Sequence, residues 1–205
     1  MLRNCKLYLI LDTEVADYDR LLEIAEASLG GGVDIIQLRD KKGTARETIK
    51  FSQALLKMLR GRIPLVINDR VDLALVCGAD GVHVGQDDIP IAAARKILGK
   101  KFLIGASAQS LEHARKAQRE GADYIGFGSV FKTLTKPARR PMDLKLLTKA
   151  VKEIKIPVFA IGGISFEKVA SLRSIGVKRI AVCRSICLSD RVSLAVRELK
   201  KVLAA

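Results

Sequence analysis

Tryptophan is absent from this 205-residue chain, aromatic residues make up 4% of it, and its only histidines are His83 and His113. With so few rings to stack bases, a nucleic-acid binder is a poor fit even though the net charge is +14. Basic side chains such as Lys145, Lys149 and Lys152 instead fall at helical spacing opposite leucine and valine, which reads as a solvated face. The cations also leave room for an anionic small-molecule substrate. Neither histidine has a sequence partner that would make it a general base. His83 reads as a packing or hydrogen-bonding residue at a strand end, and His113 lies on a helix face. Cys5, Cys77, Cys183 and Cys187 show no paired metal-ligand spacing and read as reduced packing residues. No apolar run approaches the roughly 20 residues of a membrane span. Met1 to Lys6 leads directly into a first strand without a signal-peptide pattern, so a cytoplasmic protein with no membrane partner is expected.

What the chain does have is alternation. Half of it (49%) is hydrophobic and 28% is charged, the balance of a folded domain. Short aliphatic runs predict eight strands, at 6–11, 35–38, 65–67, 81–84, 103–106, 124–127, 158–161 and 179–182. Between them apolar residues recur at three and four positions, as in Leu21-Leu22-Ile24-Ala25-Leu29 and Val169-Leu172-Ile175, which predicts helices. Alternating strands and helices argue for a parallel sheet, and units of about 25 residues fill the chain as one α/β (β/α)8 TIM barrel over residues 1–205. Gly32-Val33-Asp34, Gly78-Ala79-Asp80, Gly121-Ala122-Asp123 and Gly176-Val177-Lys178 repeat at the predicted helix-to-strand turns. There glycine suits a left-handed cap, a stability feature. A flavodoxin-like or Rossmann sheet is the other fold considered, but Gly126-Phe127-Gly128 lacks the third glycine and the acidic partner of a dinucleotide site.

Polar clusters follow the predicted strands, where a barrel opens its mouth. Asp69 and Asp88 follow the adjacent third and fourth strands. Their carboxylates suit Mg²⁺, which keeps waters and binds through one or two carboxylates and substrate phosphates. Either could instead cap a following helix, Asp88 especially, since it stands just before Pro90. Arg39, Lys41 and Lys136 could hold a diphosphate with that metal, or be plain surface cations. Thr133 and Thr135 lie in a polar, proline-rich segment that could meet a phosphate or form a turn. Gly162 and Gly163 end the seventh strand, where barrels often bind a monophosphate together with the loop after strand eight.

Taken in order, Gln37-Leu38-Arg39-Asp40-Lys41, Asn68-Asp69, Gly85-Gln86-Asp87-Asp88, Gly105-Ala106-Ser107, Thr133-Leu134-Thr135-Lys136 and Ala160-Ile161-Gly162-Gly163-Ile164 resemble the thiamine-phosphate synthase family across nearly the whole chain. The resemblance implies a transferase joining hydroxymethylpyrimidine diphosphate to thiazole monophosphate with release of diphosphate. It implies a pyrimidine-diphosphate site at Gln37, Leu38, Arg39, Asp40, Lys41, Asn68, Ser107 and Lys136, with Arg39, Lys41, Lys136 and Ser107 acting in catalysis. It also implies Mg²⁺ ligands at Asp69 and Asp88, and a thiazole-phosphate site from Thr133, Leu134 and Thr135 with Gly162, Gly163 and the end of strand eight. That end reads Cys183-Arg184-Ser185 where the family usually has Val/Ile-Ser-Ala, so Arg184 is expected as a phosphate contact in place of serine. The segment 137–143 lacks the family's usual acidic residue and later glycine. A related isomerase, thiazole tautomerase, is expected to lack the metal carboxylates and to carry a histidine after strand six. Here that loop reads Gly128-Ser129-Val130-Phe131.

Overall fold

A computed structural model describes residues 2–135 and 139–204. Eight parallel strands, β1 (Leu7–Asp12), β2 (Ile35–Arg39), β3 (Leu65–Asn68), β4 (Gly81–Val84), β5 (Leu103–Ala108), β6 (Tyr124–Phe127), β7 (Val158–Ile161) and β8 (Ile180–Val182), close into a barrel in sequence order. Around it run α1 (Tyr18–Gly31), α2 (Ala45–Leu59), α3 (Val71–Cys77), α4 (Ile91–Leu98), α5 (Leu111–Arg119), α6 (Leu144–Glu153), α7 (Phe166–Ser174), the short α8 (Arg184–Cys187) and α9 (Val192–Ala204). No helix among the described residues is long and apolar enough to cross a membrane.

Strand side chains alternate between two cores because their period is two. Leu9, Leu11, Ile36, Leu38, Ile67 and Ile125 point outward into the layer shared with the helices. Tyr8, Ile10, Ile35, Val66, Tyr124, Phe159 and Ala181 fill the barrel, and Leu2 plugs its N-terminal end. Three fully enclosed rings, Tyr8, Tyr124 and Phe159, meet edge-on with centroids 5.5 to 5.8 Å apart, a favoured aromatic geometry.

The glycine repeat has the predicted backbone: Gly32, Gly78, Gly121 and Gly176 all have φ between +71° and +92°. The aspartate that follows in three of the repeats has its own task. The carboxylates of Asp34, Asp80 and Asp123 accept the backbone N–H of Leu7, Leu65 and Ile104 at 2.9, 2.8 and 2.7 Å, stapling the start of the neighbouring strand. β4, β6 and β7 match the expected ranges outright and the other strands agree to within a residue at each end, save that β5 runs on to Ala108; β1 runs on to Asp12. Each extension carries an inward polar residue, Asp12 or Ser107, that an aliphatic pattern does not reveal.

The last helix seals the first. A Cβ on Gly31 would lie 2.7 Å from Cβ of Val196 and 2.8 Å from the carbonyl oxygen of Ser193. Gly31→Ala should therefore destabilise the fold by about 1–3 kcal/mol through overpacking, outweighing the roughly 0.5–1 kcal/mol that alanine adds within a helix. Urea unfolding measures this, and a more stable variant would show that α9 is free to shift.

Candidate active site

A cavity of about 440 Å³ opens at the C-terminal end of the barrel. Of the predicted residues, Gln37, Arg39, Asn68, Ser107, Thr133, Leu134, Thr135, Gly162, Gly163, Cys183, Arg184 and Ser185 line it. The parity of each strand explains why: Gln37 and Arg39, Asn68, and Ser107 all take inward positions at or next to a strand end. Lys136 lies outside the described residues, as do Pro137 and Ala138.

Two predicted ligands belong elsewhere. Leu38 has the opposite parity to Gln37 and Arg39 and is fully buried in the layer between barrel and helices, so its side chain faces away from the cavity. Asp40 is a loop organiser. Its carboxylate accepts the hydroxyls of Tyr18 (2.6 Å), Thr48 (2.7 Å) and Thr13 (3.0 Å) and the N–H groups of Gly43 (2.8 Å) and Lys42 (3.3 Å). Burial alone would raise its proton affinity, but those donors outweigh it and hold the carboxyl below its usual range. Its acceptor capacity is spent tying the β2–α2 loop to Thr13, α1 and α2.

Arg39 reaches the mouth already paired. Its Nη1 donates to both Asp12 oxygens at 2.9 Å and also to Glu14. Asp12 is wholly buried, and an unpaired charge there would be costly. Burial opposes the guanidinium charge, yet Glu14 and Asp12 outweigh it and keep Arg39 firmly protonated. It is therefore not the free diphosphate clamp expected from its place in the sequence. The Asp12-Thr13-Glu14 cluster was missed in the sequence, although it follows an aliphatic run just as the others do.

The paired carboxylates meet as expected. Asp69 stands directly after β3 with φ +62°, a left-handed conformation unusual for a non-glycine residue. Its N–H extends the ladder to the carbonyl of His83 at 2.8 Å. Its carboxylate accepts Lys41 Nζ at 2.5 Å. Asp88 accepts the N–H of Gly85 at 2.6 Å, and a Cβ on Gly85 would crowd that oxygen at 2.8 Å. Burial, and then the adjoining Asp69 carboxylate, push the Asp88 carboxyl above its ordinary range. Neither aspartate caps a helix: the cap positions of α3 and α4 are Arg70 and Pro90, without side-chain caps. Among the described residues no three His, Cys, Asp or Glu side chains gather as a metal site. A pair of carboxylates facing the same side, one beside a lysine, still suits a hard cation that keeps waters and shares a substrate phosphate.

Lys41, Asp69 and Asp88 are not among the residues that line the cavity, whereas Gly162 (φ +105°) and Gly163 (φ +61°) bring backbone against it. A Cβ on Gly162 would meet Ser129 Oγ at 2.4 Å, and one on Gly163 the Lys132 carbonyl at 2.2 Å. Lys168 Nζ holds the Gly163 carbonyl at 3.0 Å. Beside this turn, Arg184 Nε and Ser185 Oγ are buried without a hydrogen-bond partner. Buried donors without acceptors are uncommon and point to a missing acceptor. His83 also faces the cavity, with Nε2 3.0 Å from Ser107 Oγ and Nδ1 3.2 Å from Tyr124 Oη.

A closed parallel barrel with a cavity and a carboxylate pair at its C-terminal end has the layout of a barrel enzyme. Comparison with known proteins gives the particular family. The thiamine monophosphate synthase family matches residues 7–186. Thiamine-phosphate synthase of Ruminiclostridium cellulolyticum is 40% identical over 200 residues, 96% of this chain and 94% of that protein. The Methanobrevibacter smithii enzyme of the same name is 41% identical, covering 98% and 97%. A solved thiamine phosphate pyrophosphorylase from Pyrococcus furiosus superposes with a TM-score of 0.91 at 38% identity, covering 100% of this chain and 98% of that one. The chain belongs to the thiamine-phosphate synthase family and is a transferase of thiamine biosynthesis. A 3-hexulose-6-phosphate synthase, at 20% identity and a TM-score of 0.74, shares the fold alone.

The raised Asp88 carboxyl carries a pH signature. A folded-state value above the unfolded one favours the fold at low pH, and that advantage is lost as pH rises through the folded value. Asp88→Asn should thus raise the melting temperature of the metal-free protein at neutral pH. The gain should vanish below the unfolded carboxyl value of about 4. A gain that persists at low pH would show that ionisation of the partly buried Asp88 carboxyl beside Asp69 is not its source.

Proposed function

We propose that this enzyme joins hydroxymethylpyrimidine diphosphate to thiazole monophosphate, releasing diphosphate and forming thiamine phosphate, with Mg²⁺ held by Asp69 and Asp88. The observation that carries the proposal is a pair of features at the C-terminal end of one barrel: the Asp69 and Asp88 carboxylates with Lys41 after β3, β4 and β2, and a cavity whose wall includes Arg184, Ser185 and the glycine turn after β7. A cation-seeking carboxylate pair and an anion-seeking cavity wall at the same end of the barrel suit two phosphorylated substrates.

In the reaction the bond between the pyrimidine methylene carbon and the diphosphate oxygen breaks, and its electron pair leaves with the diphosphate. The thiazole nitrogen then gives its lone pair to that carbon. No proton has to be removed to form the new C–N bond, which agrees with a site where both His83 ring nitrogens have partners. Magnesium, when bound, supplies positive charge for the departing diphosphate. Lys41, now on Asp69, supplies a mobile cation beside it. Lys136 comes to the same task from the family motif. Arg39 acts one step removed: pinned to Asp12 and Glu14, it shapes the wall next to Asn68 instead of balancing free charge. Gln37 and Ser107, lower in the barrel, address the pyrimidine, and Thr133, Leu134 and Thr135 the thiazole side. On this reading the partners are small molecules, not nucleic acid or membrane. Four free cysteines support a cytoplasmic setting.

Thiamine phosphate formation from both substrates with Mg²⁺, matched by diphosphate release, tests the reading; no product under those conditions contradicts it. Asp69→Ala and Asp88→Ala should each cut turnover by about a hundredfold or more while the protein stays folded, as circular dichroism would show. Unchanged turnover removes that residue from the metal.

Arg184 is the test of the cavity wall. Arg184→Ser should raise KM for thiazole monophosphate about tenfold and spare KM for the pyrimidine diphosphate. Equal effects on both substrates would separate Arg184 from the monophosphate.

A further inference from the structure

The barrel interior holds a polar chain that the reaction does not obviously need. Gln37 Nε2 lies 2.7 Å from Tyr8 Oη, which lies 2.8 Å from Tyr124 Oη. Tyr124 Oη lies 3.2 Å from His83 Nδ1, and His83 Nε2 lies 3.0 Å from Ser107 Oγ. The chain crosses the barrel from β2 to β5 and begins and ends on residues that line the cavity.

Space is cleared for it by glycine in the middle of strands, where glycine otherwise weakens a sheet. A Cβ on Gly105 would lie 2.0 Å from Tyr124 Cζ and 2.3 Å from its Oη, and one on Gly126 would lie 3.1 Å from His83 Cε1. The edge-on packing of Tyr8, Tyr124 and Phe159 holds the rings in place. Burial pushes both phenols well above their ordinary range, so each keeps its proton.

Each link has a direction. An amide nitrogen only donates, so Gln37 makes the Tyr8 oxygen an acceptor, and the Tyr8 proton is left with Tyr124 as its partner. Tyr124 in turn gives its proton to Nδ1 of His83, which must be bare. His83 then carries its hydrogen on Nε2 and donates it to Ser107 Oγ. The opposite order would bring two donors together at Tyr8, 2% exposed and with no other acceptor in the chain, leaving a buried hydroxyl proton unsatisfied.

We propose that Gln37, Tyr8, Tyr124 and His83 form a positioning chain that fixes the polarity of Ser107, so that its hydroxyl proton is turned away from His83 and donates into the cavity, toward an acceptor atom of the pyrimidine diphosphate. The identity of that ligand rests on the proposed function. The direction of the chain does not.

The test is the tautomer of His83, read by nitrogen NMR on protein labelled in its two histidines, with His113→Gln giving the assignment. The parent protein should show a bare Nδ1 and a protonated Nε2. Gln37→Glu, recorded at about pH 8.5 where a carboxylate is ionised and can only accept, should reverse the chain and move the hydrogen to Nδ1. Tyr124 is not on the cavity wall, and Tyr124→Phe should raise KM for pyrimidine diphosphate about fivefold while leaving KM for thiazole monophosphate within about twofold. If Ser107→Ala also weakens inhibition by inorganic diphosphate, the acceptor is a diphosphate oxygen; if it does not, the acceptor is on the ring. A protonated Nδ1 in the parent, no reversal in Gln37→Glu, or an unchanged KM in Tyr124→Phe would overturn the proposal. The NMR arm uses no substrate, so it stands or falls apart from the proposed reaction.

Discussion

A closed barrel of parallel strands has an interior too narrow for unpaired polar groups and a single end where its loops can meet a ligand. Every inward-facing polar side chain must therefore either find an internal partner or sit at that mouth. This chain uses both solutions. Tyr8, Tyr124 and His83 satisfy one another in the interior, while Asn68, Ser107 and Gln37 reach the boundary between core and cavity. The opposite end is closed by Leu2 and stapled by Asp34, Asp80 and Asp123, which hold the strand starts.

The same constraint separates the charges by task. Asp12 is fully buried, and the guanidinium of Arg39 is what makes that burial tolerable. Asp69 and Asp88, in contrast, lie nearer solvent and share one lysine between them, so their mutual repulsion is only partly relieved. The first pair is complete as it stands. The second has the electrostatic character of a site that gains from a cation.

Much of this was legible in the sequence because strand parity and position are written in aliphatic spacing. The eight strands, the left-handed glycine turns, the carboxylate pair and the glycine turn after β7 all follow from local pattern. Leu38 and Asp40 did not, since a motif places them beside ligands while parity sends Leu38 outward and five donors from two loops and two helices claim Asp40. The pairing of Arg39 depended on Asp12 and Glu14, more than 20 residues earlier in the chain, and the Tyr8–Tyr124–His83 chain on three different strands. Contacts of that kind arise only when the barrel closes. Gly105 and Gly126 were their one local trace, as glycines inside strands.

The central claim is that one mouth holds metal and diphosphate against β3 and β4 and the monophosphate against β7 and β8. Crystals grown with manganese in place of magnesium, diphosphate and thiamine phosphate test it most directly, because the metal is located by its anomalous signal. The account predicts one metal about 2.0–2.2 Å from carboxylate oxygens of both Asp69 and Asp88, diphosphate on that metal, and the product's phosphate at Gly163 and Arg184. A metal bound elsewhere, or a product phosphate on the β3–β4 side, would contradict it.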